Sequence, residues 1–152
     1  MNATALAALI GTMPGYTAET VAAEVRAWLR QSITVVLPVR LITARTVLAE
    51  YPGGPAAAAA VLDKLEALAV SISPVKWAMR FLTTEGGLDI ASPATRAQLD
   101  ALATGGALTS EEAEHLKALG EQTVSRWGSI GGSDADDDAV IDAAVAGVRG
   151  WI

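Results

Sequence analysis

The sequence predicts an all-α fold, a compact bundle of about seven short helices with at most a minor extended segment near residues 33–37. Three observations carry this expectation. Apolar residues make up 51% of the chain while aromatics make up only 5%, because alanine supplies much of the apolar fraction. Alanine favours helix and close helix packing, but each residue buries little area. Helix start signals recur along the chain at Asn2, Thr17, Thr43, Ser73-Pro74, Ser92-Pro93 and Thr109. Glycines follow the helical stretches at Gly11, Gly53-Gly54, Gly86-Gly87, Gly105-Gly106 and Gly120, where stops are expected.

Asn2 is placed to cap a helix over Ala3–Ile10, and Pro14-Gly15 marks a turn. Thr17 caps a second helix through roughly Gln31, with Val21, Val25, Trp28 and Leu29 on one face. The β-branched run Ile33–Val36 reads as extended, and Pro38 confines it to an edge or ends it. No second segment presents itself as its partner, so it reads as a short two-stranded pairing or an extended connector packed on helices, or else as an exposed strand that adds to a neighbouring subunit's sheet. Thr43 caps a helix through Tyr51. Pro55 suits the first turn of the next helix, in which Val61, Leu65, Leu68 and Ala69 continue an apolar stripe.

The length of 152 residues suits one domain that can bury about 70% of its unfolded surface. The expected organisation is a helical domain over 1–127, then a Gly/Asp-rich connector and C-terminal helix over 128–152 packed on it or on a partner. There is no cysteine, which removes thiol catalysis and Cys-ligated zinc. No apolar run approaches the ~20 residues of a membrane span. The N-terminal apolar segment lacks a preceding basic region, so a signal peptide is not expected and synthesis in the cytoplasm is. The net charge of −6 is uneven, with three basic and ten acidic residues after residue 99. An acidic C-terminal third repels a phosphate backbone, and nucleic acid is not an expected partner.

The stretch Ser73–Leu119 has the clearest punctuation. Val75, Trp77, Ala78, Met79, Phe81 and Leu82 cover most of one helix, which leaves Lys76 and Arg80 as a basic stripe spaced i,i+4. Trp77 and Phe81 share that spacing and are expected in the core. Pro93 opens a helix carrying Leu99 and Leu102, and Thr109 with Glu112 has capping-box spacing.

This order of elements is an LDI turn, then S-P-A-T-R-x-x-L-x-x-L, then G-x-L-T-x-x-E-x-x-x-L-x-A-L-G, with Ser125-Arg126 shortly after. With the upstream T-V-V-L-P-V-R, it resembles small Ala-rich proteins encoded among the structural genes of tailed bacteriophages and prophages. The resemblance covers roughly residues 17–127, and the Gly/Asp-rich stretch after Trp127 departs from it. It implies a non-enzymatic virion protein, with the tail as the preferred place, made in the host cytoplasm and carried in the particle. Its partners would be other phage structural proteins and copies of itself. The alternative is an assembly factor or small regulatory binding module not retained in the particle.

Candidates for chemistry are few. The one histidine, His115, lies four residues after Glu111 and three after Glu112, without a second His or an HExxH order. It reads as part of a solvated helix face. The run Asp134–Asp138 has Ala139 and Val145 where a calcium loop beginning at Asp134 needs Gly and Glu. It reads instead as the start of the last helix, with Ser133 or Asp134 as cap and the other carboxylates favouring the helix dipole. Gly128–Gly132 reads as a flexible connector. No catalytic residue, cofactor or metal ligand is therefore assigned. The candidate partner interface is Lys76 and Arg80 together with Trp127, Trp151 and Ile152, since tryptophan supplies large contact areas at interfaces.

Overall fold

A computed structural model describes residues 2–17 and 19–149. The chain is mostly helical, at 59% helix, with small antiparallel strand pairs. Among the described residues there are nine helices and two two-stranded sheets, so the expected all-α bundle of seven helices is corrected. The chain divides into two compact units. One is discontinuous and joins residues up to 35 with those from 123 onward; the other spans 36–122. A boundary at 127/128 does not mark this division, because residues 123–127 and 128–149 fall in the same unit.

The discontinuous unit contains α1 (Ala3–Gly11), α2 (Ala22–Leu29), α8 (Arg126–Ser129) and α9 (Asp138–Val148). Strand β1 (Ser32–Val36) pairs with β4 (Glu121–Ser125), and these strands lead from one unit into the other. Asn2 caps α1 as its residue type predicts, accepting from the Thr4 N–H at 3.0 Å and the Ala5 N–H at 3.3 Å. The second helix starts later than expected. Val21 occupies its cap position without a side-chain bond, and Thr17 instead donates its N–H to Thr20 Oγ1 at 2.9 Å. In α9 the cap is Asp137, not Ser133 or Asp134, and it accepts the Val140 N–H at 3.0 Å. Ile141, Val145 and Val148 fall on one face of that helix and join Leu6, Ile10, Val25, Leu29 and Trp127 in a core.

Residues 36–122 form a second core from β2 (Leu41–Ile42), α3 (Ala44–Glu50), α4 (Gly54–Ala69), α5 (Ser73–Leu82), β3 (Leu88–Asp89), α6 (Pro93–Thr104) and α7 (Ser110–Ala118). Helices α3 and α5 pack against α4, and α6 packs against α7. The LDI turn is a strand here. Leu41 faces Asp89 and Ile42 faces Leu88 in an antiparallel pair. Asp89 also accepts the backbone N–H groups of Arg40 and Ala91, at 3.0 and 3.1 Å. Two capping boxes secure helix starts. Thr43 and Thr46 form one, and Thr109 with Glu112 forms the other at 2.7 and 3.1 Å.

Candidate functional site

An open apolar groove of about 340 Å³ lies within the 36–122 unit. One wall is α5, through Pro74, Trp77, Ala78 and Phe81; the other is α6, through Ala94, Thr95 and Gln98. Ile42 of β2, Leu88 of β3, Leu65 of α4 and Leu116 of α7 also line it. The groove follows from the packing. Helix α5 is attached to α4 and α6 to α7, and α6 lines the groove with Ala94, Thr95 and Gln98 beside the leucines Leu99 and Leu102.

Trp77 and Phe81 stand at this groove 53% and 52% exposed, which corrects their expected core placement. Val75 and Leu82 hold the helix down instead, at 3% and 4% exposure. Helix α5 is apolar over much of its circumference, yet only one of its apolar sides is covered. Lys76 and Arg80 lie beyond Trp77 on its outer side, both exposed. The Arg80 guanidinium carbon sits 4.5 Å from the Trp77 ring centroid, a cation–π contact that orients the indole.

The remaining candidates have structural partners. Trp127, expected at an interface, is 1% exposed in the core of the discontinuous unit. Its indole N–H donates to Asp136 Oδ2 at 2.8 Å. Trp151 and Ile152 lie outside the described residues. The aspartate run is distributed among local bonds. Asp134 accepts from the Ser125 hydroxyl, Asp136 from Trp127 and the Ser133 N–H, and Asp137 caps α9. The Ser133 N–H and the Trp127 indole hold the Asp136 carboxyl below its usual range. Nor is Gly128–Gly132 a free connector. The Gly132 N–H bonds Trp127 O at 3.1 Å, and the backbone of Gly132 covers the indole so closely that a Cβ there would overlap it.

His115 borders a shallow depression with Tyr51, Glu111 and Glu112. Its ring meets Tyr51 edge-on at 5.2 Å, and Nε2 is 4.0 Å from Glu111. Burial first, and then the Glu112 and Glu111 charges, raise the Tyr51 pKa. Glu112 is fully engaged, accepting from Lys64 Nζ at 2.8 Å with both oxygens and from the Thr109 N–H at 2.7 Å. This cluster ties α7 to α4. Among the described residues, no group of three or more His, Cys, Asp or Glu side chains has the arrangement to hold a metal ion.

Glu112 makes the stability of this unit pH-dependent. Burial opposes its ionisation, but the Lys64 and Thr109 bonds outweigh burial and leave its pKa lowered. A carboxylate lowered on folding contributes stability above its unfolded pKa of about 4.3, and that contribution is lost as pH falls through the folded value. Glu112→Gln should therefore give a shallower fall in melting temperature on acidification. Circular dichroism melts from neutral to acid pH would check this, and an acid limb as steep as that of the unmodified chain would refute it.

The groove was not visible in the sequence. The spacing of Pro74, Trp77, Ala78 and Phe81 along one side of α5, beside a basic stripe, is the signal that could have shown it. Comparison with protein-family models, with curated proteins and with solved structures finds no match to this chain.

Proposed function

We propose that the chain is a non-enzymatic structural subunit of a tailed-bacteriophage particle, in the tail, acting through contacts with other structural proteins and with copies of itself. The observation that carries the contact role is the groove with Trp77 and Phe81 half-exposed at its side. Aromatic side chains at an open apolar slot are contact surface, because water gains most when a partner covers them. Thr95 and Gln98 are the polar side chains that line the slot. The particle itself enters through the resemblance of residues 17–127 to phage structural-module proteins.

Mass spectrometry of purified particles should find the chain in a fixed ratio to the known structural proteins. Its absence from particles would remove the subunit role. A tight complex with one unassembled structural protein would then favour an assembly factor.

A further inference from the structure

We infer that the α5–α6 groove seats an acidic amphipathic helix of a protein partner, with apolar side chains entering the slot and carboxylates meeting Lys76 and Arg80. This rests on the contact role proposed above and names the chemistry of the partner.

The residues under this groove, Ile42, Leu65, Leu88 and Leu116, are all apolar, and Thr95 and Gln98 on the α6 wall are its polar side chains. A helix satisfies its own backbone and needs only an apolar edge to lie in such a slot. At about 340 Å³ the volume sits at the small end of ligand sites, which run from roughly 300 to 1,000 Å³.

Charge specifies the flank of that helix. Arg26, Arg30, Arg40, Lys64, Arg96 and Lys117 all have a carboxylate within 4.0 Å. Arg126 and Arg149 bond carbonyl or amide oxygens instead. Among the described residues, Lys76 and Arg80 form no ion pair, a state that Arg45 shares. Asp63 and Glu66 on α4 and Glu85 after α5 do not pair with them. In a chain of net charge −6, two uncompensated cations one helical turn apart on the outer side of Trp77, flanking the slot without lining it, match an acidic partner. Arg80 also stacks on Trp77, so the same residue borders both the apolar and the charged part of the surface.

The test is selection of 18-residue peptides from a random library displayed on yeast, with the full chain as bait. Enriched peptides should carry apolar residues at i, i+3 or i+4 and i+7 with Asp or Glu alongside. Their binding, measured by calorimetry, should fall at least tenfold with Trp77→Ala and weaken as salt is raised. The double variant Lys76→Glu/Arg80→Glu should reverse the charge preference, so that Lys-bearing versions of the same peptides bind it better. These residues are exposed, and unchanged circular dichroism melts would verify that the variants fold.

Enrichment of peptides without acidic residues, no enrichment at all, or affinity indifferent to the charge reversal would overturn the proposal. So would a concentration-dependent dimer in ultracentrifugation that Trp77→Ala abolishes, since the occupant would then be a second copy. Particle mass spectrometry separates the two readings. A chain that binds acidic helices but is missing from particles loses the virion role and keeps the groove; a particle subunit that selects no peptide loses only the groove.

Discussion

Replacing Trp127 with alanine should lower stability by about 3–5 kcal/mol, the range for deleting a buried aromatic side chain. Among the described residues, Trp127 is the largest of the fully buried side chains. It joins apolar residues of α1, α2 and α9, so its loss empties the middle of the discontinuous unit. The indole also has a polar end, whose N–H reaches Asp136 Oδ2 at 2.8 Å. Trp127→Phe separates the two contributions. It keeps most of the buried area and removes one hydrogen bond, so its loss should be smaller than that of the alanine variant. Urea unfolding followed by circular dichroism would measure both variants. Equal losses for alanine and phenylalanine would mean that the bond, and not the packing, is what matters there.

Gly87→Val should be nearly as severe, and it should reach the groove. Gly87 has φ +69°, a left-handed backbone that β-branched residues essentially never adopt. A Cβ there would lie 2.8 Å from the Ile42 carbonyl oxygen, which is backbone and cannot swing aside. Strain of roughly 1–3 kcal/mol adds to a steric cost of similar size. The contact lies between β3 and β2, whose Leu88 and Ile42 line the groove. The variant should therefore melt earlier and also bind groove-directed peptides more weakly. Gly87→Ala should fall between valine and the unmodified chain, because it has the clash without the β-branch. A valine variant with unchanged melting would show that the 86–88 turn can move away from Ile42.

The errors of sequence reading at this site share one cause. Trp77 and Phe81 belong to a helix apolar over most of its surface, and such a helix is normally covered on several sides. Here Val75 and Leu82 face the core, while the side of α5 that carries Trp77 and Phe81 faces α6 across an open groove. Periodicity along α5 cannot report what stands opposite it. Trp127 failed in the reverse direction. Expected as interface surface, it is buried, and Gly132 is the residue that lets the backbone close over the indole. Lys76 and Arg80 are both exposed on α5, and their shared stripe is legible in the sequence because i,i+4 spacing is a property of one helix.

What the sequence by itself determined was where most helices begin. Asn2, Thr43 and the Thr109–Glu112 pair cap the helices that their residue types predict, because a cap bond spans only two or three residues and depends on nothing distant. The tertiary structure decided the pairings and the exposures. Glu121–Ser125 joins β1 across more than eighty residues of chain, and Leu88–Asp89 joins Leu41–Ile42 across more than forty. A strand of a few residues gains its stability from its partner, so its own sequence is weak evidence for it. The groove follows the same rule. Whether an aromatic residue is buried or exposed depends on how closely the element across from it packs, and that element is another helix.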